Sequence, residues 1–161
     1  MQSLKDIVPA AENNINTKFI VLEKGRIALS QKNKGRTGVE EQQKTCLALV
    51  ADETAAVQFQ MWGDECDAFE PGDIIRLENG IFSYLNKKHV LRAGWRGKAE
   101  KMGEFTMAYV EKPNMSELPW TSDPKTEKFF LPTNASSIGQ SYLGKVLSCI
   151  LSSSMIVFFL T

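Results

Sequence analysis

The sequence predicts an all-β fold: a five-stranded Greek-key barrel with a short helix between its third and fourth strands, followed by a poorly ordered C-terminal tail. Three observations predict it. Short runs of alternating apolar and polar residues, bounded by turn residues, fill the chain from Thr17 to about Gly94. No helical run is long enough for the crossovers of a parallel sheet, which argues against a doubly wound α/β fold. There is also no repeat of 20–50 residues that would signal a solenoid or propeller.

The elements follow in order. FIVLEKGRIAL (19–29) is β-branched and apolar, interrupted once at Gly25. QKNKGRTGVEEQ (31–42) is polar, holds two glycines, and reads as a long mobile loop. KTCLALVADET (44–54) is a second strand ending in a polar turn. AVQFQMW (56–62) alternates cleanly, with Val57, Phe59 and Met61 on one face and Gln58, Gln60 and Trp62 on the other. DECDAF (64–69) suits one or two turns of helix before Pro71-Gly72 stops it. DIIRLENGIFSYL (73–85) and HVLRAG (89–94) are two further strands joined by the tight polar turn Asn86-Lys87-Lys88. EFTMAYVE (104–111) is a sixth candidate, extending the fifth strand or packing beside it. This element order is that of an OB-fold. The domain spans 1–112, and a tail punctuated by Pro113, Pro119, Pro124 and Pro132 spans 113–161 without a core of its own.

Composition narrows the function. With 161 residues, 43% hydrophobic and 24% charged, the chain has the size and balance of one globular domain. Its one histidine, His89, leaves no His pair and little for a Ser-His-Asp relay, and its alternating position suits a structural role. Cys46, Cys66 and Cys149 are odd in number and widely spaced, which argues against a disulfide framework and a structural zinc. No GxGxxG, Walker A, GxSxG or HExxH motif is present, and Cys66 has no base nearby in sequence to lower its pKa. The expectation is a non-enzymatic protein without metal, cofactor or small-molecule substrate. The N-terminal MQSLKDIVPAAENN has no apolar h-region, so an intracellular protein is expected.

Zero net charge hides segregation. Residues 24–44 hold six basic and two acidic residues, 64–73 hold five acids and no base, and 87–101 hold six bases and one acid. The two basic segments build a stripe for a polyanion if the fold brings them together. Trp62 lies on the polar face of its strand, where an OB-fold offers single strands a stacking platform. Arg92 alternates with Leu91, and a guanidinium can both neutralise a phosphate and stack on a base. The candidate nucleic-acid-binding set is Trp62, Phe82, Tyr84, Lys87, Lys88, Arg92, Trp95, Arg96 and Lys44. Phe82 and Tyr84 share one face of their strand, and Ile81, Ser83 and Leu85 the other. A one-residue slip exchanges the two sets, so core and binding roles both stay open for them.

In order, FIVLEKGR, TCLALVADET, VQFQMWGDE, FEPGDIIRLENG, GEFTMAYVE and PNMSE resemble the B subunit of the SOSS complex, a eukaryotic single-stranded-DNA-binding OB-fold protein; the likeness covers about residues 4–118. The resemblance implies a nuclear protein that binds single-stranded DNA in DNA-damage repair while docked on a large helical scaffold subunit. It implies that Trp62 is a stacking tryptophan, and it places the family's other aromatic positions on Ile81, Leu85 and Arg92. Loop 31–42 is longer than the family's hairpin, and the tail lacks its long Pro/Gly-rich region. RNA is a possible ligand beside DNA.

Two rival readings remain. One is an OB-fold protein–protein adaptor with a weakened nucleic-acid face. The other is a protein tail-anchored through Val146–Thr161, sixteen uncharged residues that fall short of the roughly 20 a span needs.

Overall fold

The computed structural model describes residues 1–10, 13–32, 41–125 and 128–130. It falls into two compact units, Met1–Leu118 and Pro119–Thr161. In the first unit, a 3-10 turn (Leu4–Asp6) precedes strands β1 (Ile15–Lys24), β2 (Ala28–Lys32), β3 (Glu41–Ala51) and β4 (Ala56–Trp62). The short helix α1 (Glu65–Ala68) follows, then β5 (Asp73–Leu85) and β6 (Lys88–Glu104). These strands form one sheet in the order β1-β5-β6-β4-β3-β2, and β1 pairs again with β3 to close it. β4 and β6 are parallel and all other neighbours antiparallel. The result is an OB-like, mostly β barrel with little helix.

Closure depends on local devices. β1 pairs with β5 along its first half and with β3 along its second, so it bends through a corner that a bulge between Val21 and Glu23 relieves. The gap between β1 and β2 falls at Gly25, whose N–H donates to the Leu47 carbonyl at 2.7 Å. A Cβ at Gly25 would sit 2.7 Å from that same oxygen, so only glycine allows the approach.

The alternation of β4 buries Val57, Phe59 and Met61 completely, and Phe59 packs on Phe19 with ring centroids 5.1 Å apart. Leu4 and Ile7 plug the barrel end where the β3–β4 turn lies. There Asp52 accepts hydrogen bonds from the backbone N–H groups of Leu4, Thr54 and Ala55. Cys66 and Phe69 cover the end reached by β4 at Trp62. Burial pushes the Cys66 thiol up to about 11, with neighbouring Cys46 adding to the shift, so little of it is thiolate near neutral pH.

The candidate strand 104–111 is not formed. β6 itself runs to Glu104, and after Phe105, at φ 55°, the chain carries single hydrogen bonds such as Val110 N–H to Asp52 O at 2.9 Å. Nor does the first compact unit stop at 112. Met115 is 2% exposed and donates its N–H to Ala56 O at 2.8 Å, while Ser116 Oγ accepts the Gln58 N–H. This extra edge on β4 carries the unit through Leu118. In the second unit, β7 (Thr121–Ser122) pairs with β8 (Phe129–Phe130). Residues 33–40 of the expected mobile loop, and the apolar segment 146–161, lie outside the described residues. Among the described residues no helix is long and apolar enough to cross a membrane.

The β5–β6 turn has two residues, Asn86 and Lys87, both at positive φ, between the paired Leu85 and Lys88. That is the type I′ geometry whose twist matches paired strands. At the base of this hairpin His89 is 8% exposed and lies against the rings of Phe82 and Tyr84, with centroids at 5.9 and 5.2 Å. Burial lowers its pKa below the ordinary 6.5.

Two outcomes follow from this packing. Phe59→Ala should lose about 3–5 kcal/mol in urea denaturation, because the barrel wall cannot collapse around the void; a loss under about 1 kcal/mol would place Phe59 outside the core. The lowered pKa of His89 means that its contribution to stability is complete above about 6.5 and is lost as pH falls through the lower folded value. Wild type should therefore lose more stability than His89→Phe between pH 7.5 and 5. Parallel pH profiles for the two would contradict a depressed pKa.

Candidate nucleic-acid interface

Register fixes which side chains leave the barrel. Leu47 pairs with Gln60, Gln60 with Arg92, and Arg92 with Ile81, so one row of outward residues crosses β3, β4, β6 and β5. The inward row beside it is Ala48, Phe59, Leu91 and Phe82. Trp62 stands two residues beyond Gln60 on the outward face, opposite Thr45. Above this row lies a cleft of about 720 Å³ whose walls include Gln43, Trp62, Glu65, Ile81, Arg92 and Trp95. Its size falls within the roughly 300–1,000 Å³ usual for ligand clefts.

Each wall has a local cause. Half-buried Trp62 ends β4, and its backbone N–H donates to Glu65 Oε2 at 3.1 Å, which ties the cleft rim to α1. Burial holds the Glu65 carboxyl above its ordinary value. Arg92 is half-buried, and its Nε–H is buried without a hydrogen-bond partner among the described residues. An unpaired buried donor is costly, and a ligand acceptor would relieve it.

Trp95 and Arg96 owe their position to an interruption of the ladder. Glu78 pairs with Lys98 and Gly80 with Ala93, so one residue of β5, Asn79, faces four of β6, Gly94 to Gly97. Asn79 has φ 49°, and a Cβ on Gly94 or Gly97 would come within 2.6 or 2.7 Å of its carbonyl oxygen. Glycines at both feet of the bulge let it fold tightly against Asn79 and throw Trp95 outward to 98% exposure.

The same bulge decides the fate of Phe82. Ile75 and Leu77 point inward, and simple alternation from them would bring Ile81 inward as well. The irregularity at Asn79 shifts the phase, so Gly80 and Phe82 turn inward and Ile81 faces the cleft. Phe82 is completely buried and is a core residue, not part of the binding face. Tyr84 shares its side of the strand. It is 61% exposed only because the hairpin runs past the barrel, and it lies on the side away from Arg92. Lys87 and Lys88 sit exposed at the hairpin tip, outside the cleft walls.

The basic stripe is thinner than the sequence suggests. The acidic segment takes up three of its members: Lys24 binds Glu70 at 2.7 Å, Lys44 binds Asp67 at 2.6 Å, and Lys101 binds Asp73 at 2.9 Å. Hydrogen bonding to Asp67 holds the Lys44 ammonium above its ordinary pKa, so Lys44 is engaged within the protein. Lys34 and Arg36 lie outside the described residues. Lys87, Lys88, Arg92 and Arg96 carry no ion pair among the described residues. Trp62, Arg92 and Trp95 thus come together, and Arg96 lies just beyond them. Gln43 joins the cleft walls unforeseen, whereas Ile81 stands at a position where the resemblance places an aromatic residue. The sequence signal for the bulge at Asn79 was the pair of glycines, Gly94 and Gly97.

No family model matches the chain. Among solved structures it is similar to a hypothetical protein from Arabidopsis thaliana, with a TM-score of 0.61 and 18% identity over 76% of this chain and 87% of that one. A replication protein A heterotrimer bound to ssDNA matches with a TM-score of 0.49 and 15% identity, over 69% of this chain and 27% of that one. The first of these is a likeness of fold and agrees with the barrel topology traced above.

Proposed function

We propose that this protein binds single-stranded nucleic acid without catalysing a reaction, with DNA as the primary ligand. The carrying observation is the convergence on one cleft of Trp62, Trp95 and Arg92, whose buried Nε–H has no partner among the described residues. The indoles offer faces to successive bases, and Arg92 offers a donor and a charge to a phosphate between them. Arg96, Lys87 and Lys88 extend the positive field along the same strand, β6, and its turn. The resemblance to the SOSS B subunit supports a role in DNA-damage repair in the nucleus, as part of a SOSS-like complex with a large helical scaffold subunit.

A second surface favours partner binding beside nucleic-acid binding. Phe105 is 75% exposed, and its ring lies over Gly72, where a Cβ would meet it at 2.0 Å. With Met107 and Tyr109, and with the carboxylates Glu23 and Glu111, it lines a groove of mixed polarity of about 360 Å³ on the β1 side of the barrel. Exposed Phe105 and Tyr109 beside one another in this groove favour a docking surface, and the scaffold subunit is the occupant this reading assigns.

The decisive measurement is equilibrium binding to oligo-dT across a salt series. With four unpaired cations on phosphates, log K should fall against log salt with a slope near about −2.8, from roughly 0.7 per contact on single strands. Trp62→Ala should weaken binding by about 1–3 kcal/mol with little change in thermal stability. No detectable binding at low salt would overturn the nucleic-acid reading and leave the adaptor.

A further inference from the structure

Trp95 separates two clefts. The first is the cleft already described; the second, of about 520 Å³, lies on the other side of the bulge, and its walls include Asn14, Asn79, Ile81, Gly94, Trp95 and Arg96. Ile81, Gly94 and Trp95 belong to both, so the two are neighbouring compartments with the exposed indole between them. Resting on the single-strand reading above, we propose that Trp95 is a wedge between two successive nucleotides and that the second cleft is a nucleotide subsite that reads its base.

The chemistry of the second cleft differs from that of the first. The first has carboxylates at its rim, Asp64 and Glu65, whereas the second contains no acidic residue and one unpaired guanidinium, Arg96. A phosphate passing Trp95 therefore meets a positive charge on the far side. The amides divide into those that build the cleft and one that is available. Asn13 is spent on the backbone: its Oδ1 accepts the Phe82 N–H at 3.0 Å and its Nδ2 donates to Val8 O at 2.9 Å. Asn79 donates its N–H to Asn16 Oδ1 at 2.9 Å and its Nδ2 to Arg96 O at 3.4 Å, which holds the bulge to the strand. The side chain of Asn14, exposed in the same wall, has no partner among the described residues. A carboxamide offers one acceptor and two donors, which matches the polar edge of a base stacked on Trp95.

The bulge makes the arrangement durable. Trp95 is held out of the core by backbone geometry at Gly94, Gly97 and Asn79, not by packing of its own ring. The site is formed before the strand arrives, which spares the ordering cost a flexible loop would carry.

The test uses the full chain and oligo-dT in which single abasic sites are scanned along the strand, read by fluorescence anisotropy. In wild type, two adjacent abasic positions should each weaken binding roughly 5- to 150-fold, the stacking worth of a base. In Trp95→Ala both penalties should shrink together while the penalty assigned to Trp62 persists, and the melting curve should be unchanged because the ring is outside the core. Asn14→Ala should cost about 2- to 10-fold on intact strands and flatten the difference between oligo-dT and oligo-dA, as expected for one lost hydrogen bond. If Trp62→Ala weakens binding but Trp95→Ala and Asn14→Ala do not, the second subsite is wrong and the single-strand reading stands. If wild type binds no oligonucleotide, the single-strand reading fails and takes the subsite with it.

Discussion

The short parallel contact between β4 and β6 is the constraint on which the molecule depends. Only two residue pairs define it, Phe59 with Leu91 and Gln60 with Arg92. The first pair points into the barrel and joins the Phe19–Phe59 contact; the second lies on the opposite side, where Gln60 is buried at 6% exposure and Arg92 lines the cleft. Because side chains alternate with period two, burying Phe59 and Leu91 obliges Gln60 and Arg92 to face out. Core energetics therefore set the functional face. A slip of one residue would put a guanidinium in the core, at a desolvation cost far above anything the cleft could return.

Electrostatics were shaped by the same closure. Helix α1 and the turn after it lie between β4 and β5 in the chain, and closure carries Asp67 of the helix, Glu70 of the turn and Asp73 at the start of β5 to Lys44, Lys24 and Lys101. Of these pairs only Lys44–Asp67 is exposed on both sides, and it adds little stability. The larger consequence of all three is to draw Lys24, Lys44 and Lys101 away from the basic stripe; within 87–101, Lys87, Lys88, Arg92 and Arg96 carry no ion pair among the described residues. A chain with no net charge thereby presents a local positive field along the path past Trp95.

The bulge at Asn79 shows how one irregularity can serve two ends. It reverses the inward–outward phase of β5, which brings Phe82 into the core and turns Ile81 to the cleft. On the partner strand it absorbs the extra residues Gly94–Gly97, which place Trp95 in solvent and Arg96 beside it. Left-handed backbone at Asn79 and the missing Cβ atoms at Gly94 and Gly97 make this possible without displacing the core.

Sequence alone determined most of the strands, the Asn86-Lys87 turn and the outward phase of Trp62, because each rests on a local rule. It missed the run of β6 on to Glu104 and offered 104–111 as a strand that does not form. Alternation in 56–62 is unbroken, so Phe59 and Trp62 could be assigned to opposite faces before any pairing was known. The interruption at Gly25 was legible for the same reason. The face of Phe82 was not, since the phase change depends on how four residues of β6 are accommodated against one of β5. Neither was the loss of Lys44 to Asp67, nor the extension of the first unit through Met115 and Ser116, which need partners distant in the chain. Tertiary structure alone brought Trp62, Arg92 and Trp95 onto one cleft and set Asn14 behind the last of them. Alternation and turn chemistry act over a few residues, whereas register, ion pairing and bulge accommodation are decided only when the barrel closes.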